Sequence, residues 1–384
     1  ARRLTPMIRA WPGESAHARA VVGLDVLAAI GTDVALMHLH GIAQKLKFKG
    51  LQEKAREKID AVAEARGLTA FELADRLVPD LGLDEDTGTL TLDYGARQFV
   101  VGFDEQLKPF VRDAANKRLA DPPKPGKADD AEKATAALEQ YKTLKKDAKA
   151  IAQSQILRLE LIMCAGRRLS AEAFRNFFVA HPLMIHLVRR VLWGVYAKDG
   201  QLTSTFRVAE DRSFADSEDD TFELPEDATL GVVHRLELDA ATCAKWGQIF
   251  GDYEILQPFE QLGRAVFHPT PEELKSDVLK RLSGVTVKTG KILGLDARGW
   301  HRGVPQDAGW VWDMYKPLGG DFRAELELKG GFCVGYMEGT PAEQELGDLK
   351  LQIESGSERT KASFSELPPS VFSELVRDLE ALRD

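Results

Sequence analysis

From Ala18 to Leu77 apolar positions recur at helical spacing. Val21, Val22, Leu24, Val26, Leu27 and Ile30 are dense enough for a well-buried helix. Leu36, Leu39, Ile42, Ala43 and Leu46 predict a second helix, with Asp33 placed to cap it. A third is expected over 51–65, ending at Gly67, and Thr69 with Glu72 spells a capping box for a fourth. Short amphipathic helices joined by tight turns resemble a HEAT or armadillo stack, although no clean internal repeat can be counted. Thr89–Asp93 and Gln98–Val101, on either side of Tyr94-Gly95, predict a β-hairpin. Asp121–Gly126, rich in proline, reads as a linker. One long helix is then expected over Ala131–Met163. Ser170 is placed to cap another that holds Phe174, Phe177 and Phe178, and Pro182 opens a further one reaching Trp193.

The pattern changes at Trp193, after which five of the six tryptophans are found, Trp193 included. Gln201–Val208 alternates and is expected to pair with Val195-Tyr196 across Asp199-Gly200. Thr229–Val233, Gly284–Leu293, Arg323–Leu328, Phe332–Tyr336 and Asp348–Ile353 read as strands. Asp239 is placed to cap a helix holding Cys243 and Trp246, Pro271–Leu282 reads as helical, and Pro368–Leu382 closes the chain as an amphipathic helix. The fold class expected is α+β: a helical, HEAT/armadillo-like N-terminal region followed by a mixed C-terminal region. The division expected is a helical domain with one hairpin over 1–120, a linker over 121–128, a helical segment over 129–195 and a mixed domain over 196–384.

Composition narrows this picture. The chain has 384 residues, 44% hydrophobic and 29% charged, enough for more than one core. No run of about 18 apolar residues exists, so no membrane span is expected. The start, Ala1-Arg2-Arg3-Leu4, has neither an initiating methionine nor a signal core, and is expected to be a trimmed end with more protein upstream. Cys164, Cys243 and Cys333 match no zinc spacing and are odd in number, which favours reduced thiols in a cytoplasmic protein. The net charge of −9 argues against a broad nucleic-acid footprint. Two basic clusters remain able to touch phosphate: Lys45, Lys47, Lys49 and Lys54, and Arg167, Arg168, Arg175, Arg189 and Arg190. A solvated charged face is the plainer reading of both.

The polar chemistry gathers late in the chain, in Gln257–Arg264 and Arg298–Trp310. Arg264 and Arg302 offer planar donor forks suited to phosphate or carboxylate. Trp300 and Trp310 offer stacking faces. Gln261, Gln306 and Asp307 can orient a ligand, and Asp307 can act as a base. Gln261, Arg264, Trp300, Arg302, Gln306 and Asp307 are therefore the candidate ligand-binding residues. The same residues also fit a structural lock, an Arg–Asp pair between a loop and a helix with tryptophan packed beneath it, and both readings stand open.

Other motifs fall away. Gly284–Ile292 has five residues between its glycines and isoleucine after its lysine, so it is no phosphate loop. His38 and His40, and His181 and His186, have poor spacing for a metal pair. Asp216–Asp220 lacks the glycine and terminal glutamate of a calcium loop. No hydrolase elbow, dinucleotide fingerprint or zinc-protease motif appears, and neither cofactor nor metal is indicated.

Leu39-His40-Gly41-Ile42-Ala43, Trp193-Gly194-Val195-Tyr196, Asp252-Tyr253-Glu254-Ile255 running into Gln257-Pro258-Phe259, and Gly299-Trp300-His301-Arg302-Gly303 through Gln306-Asp307 resemble a bacterial family, the domain of unknown function 4132. The resemblance covers about residues 20–360. Arg235 stands where a proline commonly follows the histidine, and Leu169 where a tryptophan commonly follows the paired arginines. The resemblance implies the C-terminal region of a larger protein that often carries a Trp-Gly-Arg (WGR) module upstream. Some members bear the label of molybdate metabolism regulator. It brings no established activity, so an uncharacterised regulatory or interaction module is expected. The alternative is an enzyme or binder of a phosphate- or carboxylate-bearing, nucleotide-like molecule.

Overall fold

The computed structural model describes residues 3–45, 48–104, 107–307, 309–333, 339–356 and 358–383. Lys47 of the first basic cluster and positions 334–336 of the strand expected at 332–336 lie outside them. The chain forms an α+β fold of two compact units. One holds residues 1–156, 171–190 and 208–213; the other holds 157–170, 191–207 and 214–384.

In the first unit, helices α1 (Leu4–Ala10), α2 (His17–Ile30), α3 (Asp33–Lys45), α4 (Lys49–Ala65) and α5 (Ala70–Arg76) enclose one apolar cluster. Leu24, Leu27, Leu36, Leu39, Leu51 and Ile59 lie at its centre. The expected capping box is present, with Thr69 accepting from the Glu72 amide and Glu72 accepting from the Thr69 amide. Just before α3, Thr32 Oγ1 accepts from the Ala35 amide at 3.4 Å, and the side chain of Asp33, the expected cap, lies outside the described residues. A four-stranded antiparallel sheet follows, in the order β1 (Leu90–Asp93), β2 (Gln98–Phe103), β3 (Pro109–Arg112) and β4 (Arg118–Leu119). Its first hairpin is the predicted one. The long helix α6 (Ala131–Cys164) is also as expected, and in this unit it is pinned by Tyr141, whose hydroxyl donates to the carbonyls of Pro109 and Ala120 at 3.0 Å.

The second unit contains two sheets. The five-stranded one has the order β5 (Leu169–Ser170), β9 (Thr229–Val232), β6 (Trp193–Tyr196), β7 (Leu202–Val208) and β8 (Phe214–Ala215). Trp193 opens β6 and pairs with both Phe206 and Val232. The helix expected to reach Trp193 is limited to α8 (Ile185–Val188), in the first unit, where the helix expected to hold Phe174, Phe177 and Phe178 is α7 (Ala171–Phe174) continued as a π-helix over Arg175–Val179. Val191-Leu192-Trp193 is a continuous apolar run, which a strand buried on both faces shares with a buried helix. Gly194 and Gly231 face each other across β6 and β9, and the Tyr196 ring lies over both. Helix α9 (Ala240–Asp252) is capped by Asp239 as predicted.

The larger sheet runs β10 (Val278–Leu279), β15 (Glu343–Ser355), β14 (Phe322–Cys333), β13 (Trp310–Gly319) and β12 (His301–Arg302), with β11 (Thr286–Lys288) and β16 (Glu358–Lys361) also paired to β15. Pro271–Leu282 forms only the one-turn α10 (Pro271–Leu274), because Val278 and Leu279 join the sheet. Gly284–Leu293 divides into β11 and α11 (Thr289–Gly294). Strand β13 has no counterpart in the periodicity: register shifts at Val311/Asp313 and Pro317/Gly319 break its alternation. Helix α12 (Pro369–Glu380) closes the core, burying Val371, Phe372, Leu375, Val376 and Leu379 with Leu326, Leu349 and Leu351 of the sheet. Among the described residues no helix is long and apolar enough to cross a membrane.

Two outcomes follow. Gly194→Ala places a methyl group against the Leu202 side chain, against Val233 at 2.9 Å and against the Tyr196 ring at 3.1 Å. It is expected to cost about 1–3 kcal/mol, read as a lower urea midpoint; an unchanged midpoint contradicts this packing. The second concerns His186, whose pKa burial and the neighbouring arginines lower to about 4. The unfolded chain, with a histidine pKa near 6.5, binds the proton first. Stability should therefore fall as pH drops from about 6.5 towards 4, and His186→Phe should flatten that slope in pH-dependent urea melts.

Candidate functional site

The most concentrated polar chemistry surrounds α12. Two carboxylates, Glu374 and Asp378, stand one helical turn apart and are buried along with the helix's apolar face. Arg264, in the loop before α10, grips Glu374 with both ends of its fork. Nε donates to Oε1 and Nη2 to Oε2, each at 2.6 Å. Nη1 donates to Glu160 Oε1 at 2.8 Å and to the Glu260 carbonyl at 2.9 Å, and Nη2 reaches Cys164 Sγ at 3.3 Å. A guanidinium has five N–H donors. All five are engaged by protein groups.

His234 completes the node. Its Nδ1 accepts from the Leu236 amide at 3.2 Å, which places the ring proton on Nε2, and Nε2 donates to Glu374 Oε1 at 3.0 Å. The His234 amide donates to Glu237, which also accepts from the Tyr196 hydroxyl and from Arg168. Arg168 lies 3.4 Å over the Tyr196 ring. Gln261 is equally complete. Its Oε1 accepts from the Leu192 amide and Gln257 Nε2, while its Nε2 donates to the carbonyls of Leu192 and Val233. The amide thus ties the segment after β9 to the segment before β6.

Asp378 organises a second node. Trp300 Nε1 donates to it at 2.9 Å, Lys316 Nζ at 2.6 Å and Arg298 Nη1 at 3.4 Å. Trp300 is buried, so neither of its faces is open for stacking. The rest of the predicted cluster lies at the end of β12 and on the turn that leads from it to β13. Arg302 sits over the Phe332 ring at 5.5 Å and reaches Asp296 at 3.4 Å. Gln306 and Asp307 are exposed, and Gln306 closes the turn onto Trp310 through two backbone bonds of 2.7 Å. Gly303 allows close approach, since a Cβ there would run into the Asp313 carboxyl. Trp310 stacks on Trp312 with ring centroids 5.6 Å apart. The six predicted residues are thus divided among three places: Gln261 and Arg264 near Glu374, Trp300 at Asp378, and Arg302, Gln306 and Asp307 at the turn. The arginine–carboxylate pairs between loop and helix are Arg264 with Glu374 and Arg298 with Asp378, whereas Asp307 is exposed on the turn.

Electrostatics separates these roles. Burial opposes ionisation of Glu374, but hydrogen bonds from Arg264 and His234 outweigh it and hold the carboxyl well below the usual range. Its stabilisation is therefore present above the unfolded carboxylate pKa of about 4.3 and is lost as pH falls further. Burial and the Glu374 charge push the Cys164 thiol far above its ordinary range, the opposite of what a nucleophilic cysteine needs. Burial and neighbouring Glu325 also raise the pKa of Asp313. Among the described residues no group of histidine, cysteine and carboxylate side chains can hold a metal ion.

Sequence reasoning missed Glu160, Cys164, His234, Glu374 and Asp378. One signal was available for the last two. Positions 371, 372, 375, 376 and 379 predict the apolar stripe, and acids at 374 and 378 fall at its edge, where a carboxylate needs a buried partner.

Residues 117–300 match the family described as Domain of unknown function (DUF4132). That is the family to which the motifs pointed. The matched span contains His234, Gln261, Arg264 and Trp300, and it stops before Arg302. Over 334 residues, 86% of this chain, the sequence is 41% identical to Uncharacterized protein YehI of Escherichia coli (strain K12). The match spans 27% of that relative's length. No solved structure matches the chain.

The Arg264–Glu374 pair makes a direct prediction. Arg264→Met strands a buried carboxylate and is expected to cost about 3–5 kcal/mol, whereas Arg264→Met combined with Glu374→Leu should recover much of that loss. Urea unfolding of the single and double variants measures both. A single-variant loss below about 1 kcal/mol contradicts a structural lock.

Proposed function

We propose that this chain is an interaction module of a larger bacterial protein and performs no reaction at its buried polar cluster. The observation that carries the reading is the state of Arg264: all five N–H donors are engaged by Glu374, Glu160, Glu260 and Cys164, leaving none for a phosphate. Gln261 has likewise filled both acceptor and both donor positions. Such networks fix one arrangement of loops and helix and present the surface around them rigidly. On this reading α1–α5, with their HEAT/armadillo-like succession, carry the recognition surface, and a WGR module and a regulatory role of the molybdate-regulator kind belong to the whole protein.

The second reading keeps a specific observation. Arg302, half-buried at the end of β12, and Gln306 and Asp307, exposed on the turn that follows, are the candidates left to take a phosphate- or carboxylate-bearing molecule. Thermal shift against inorganic phosphate, ADP-ribose, NAD, ATP and molybdate separates the two. Binding to the native state raises the melting temperature by mass action. The interaction-module reading expects a flat response to all five. A saturable rise with any of them, abolished by Arg302→Ala, overturns it in favour of a binding turn.

A further inference from the structure

Helix α2 is apolar around its whole circumference. Only His17, Arg19 and Asp25 among its fourteen residues are polar. Ala20, Gly23, Leu24 and Leu27 face the core of the helical layer. On the other side Val22, Val26 and Ile30, at successive intervals of four, remain 59%, 43% and 46% exposed. A helix with apolar residues on every side is normally covered on every side. The density of apolar residues predicts a well-buried helix, yet only Ala20, Gly23, Leu24 and Leu27 are buried. The three side chains form one straight stripe about 12 Å long.

The rim of the stripe is positive, although the chain carries a net charge of −9. Arg19 is exposed one turn before Val22. Arg66, also exposed, reaches the Gly31 carbonyl just past Ile30 and stands at the far end. Asp25, beside the stripe, is neutralised by Lys58 at 2.7 Å. A cation thus stands at each end of the apolar line, and the acid beside it is already paired.

We propose that the outer face of α2 is a docking stripe for a partner amphipathic helix whose apolar face is flanked by acidic side chains. A helix is the element whose own i, i+4 ridge matches a straight i, i+4 stripe, and helix-in-groove recognition reads such spacing directly. The glutamates or aspartates on its flanks meet Arg19 and Arg66. This inference rests on the interaction-module reading and assigns that reading a surface and a partner chemistry.

The test uses a synthetic 18-residue helix with leucines at i, i+3, i+4 and i+7 and glutamates on both flanks, read by fluorescence anisotropy against the whole chain. Saturable binding is expected. It should weaken at least tenfold with Val26→Glu and with lysine in place of the peptide's glutamates, and it should weaken also with Arg19→Glu. Val26 faces solvent, so the melting temperature of Val26→Glu reports whether the fold is intact, and Val26→Ser serves as a second variant. Absence of saturable binding, or binding indifferent to Val26→Glu, overturns the proposal. So does a dimer in sedimentation that Val26→Glu dissolves, which assigns the stripe to a second copy. Stronger attachment to phosphatidylglycerol vesicles than to the peptide overturns it as well, in favour of a membrane surface. None of these outcomes bears on the small-molecule panel. A flat panel with no peptide binding removes the stripe alone, whereas a shift abolished by Arg302→Ala removes the broader reading.

Discussion

A guanidinium and a carboxylate withdrawn from water set the terms for the second unit. Separately, each is far too costly to bury, so Arg264 and Glu374 must meet with all of their hydrogen-bonding capacity engaged. The geometry answers that requirement. Glu374 accepts both arms of the fork and the His234 ring, and Arg264's remaining donors go to Glu160, Cys164 and the Glu260 carbonyl. These groups come from four separate stretches of chain: the end of α6, the segment after β9, the loop before α10, and α12. Non-specific collapse would bury α12 in several rotations about its axis. Only one rotation brings Glu374 to Arg264 and Asp378 to Trp300 and Lys316 together. The ion pairs add little net stability over a hydrophobic substitute. Their effect is to select one packing among those that the apolar stripe would permit.

The same constraint bears on the proposed reading of this polar, arginine-rich cluster as a structural lock. Catalysis needs a group left incompletely satisfied, or one poised near the working pH. Glu374 is driven further into its charged form and Cys164 further into its neutral form, so both move away from titration near neutrality. The His234 ring is held at one nitrogen by a backbone amide and at the other by Glu374.

Elements whose signals are local could be read from the sequence. The Thr69–Glu72 capping box, the Asp239 cap, the Gln98 hairpin, the Asp199-Gly200 turn and the stripe of α12 each depend on residues a few positions apart, and each is found. Elements that owe their form to distant partners could not be read. Trp193 lies in a strand because β7 and β9 flank it. Val278 and Leu279 leave a helical pattern because β15 offers them an edge. Strand β13 hides its alternation behind two register shifts. The candidate site divides along the same line. Gln261, Arg264 and Trp300 were legible as unusual polar residues in an apolar context. Their partners were not, because Arg264 and Glu374 stand 110 positions apart, and no spacing rule spans that distance.

Helix α2 makes the complementary case. Its inner face is explained by the core that it joins, as α12 is explained by its core and its two acids. Its outer face is not explained by any described part of the chain. An acid buried without a base and an apolar stripe left in water pose the same kind of question, since each needs a complement before it is energetically reasonable. For Glu374 the complement is found within the chain and proves to be Arg264. For Val22, Val26 and Ile30 none is found among the described residues, and the proposed partner helix, apolar along its middle and acidic at its margins, would supply it.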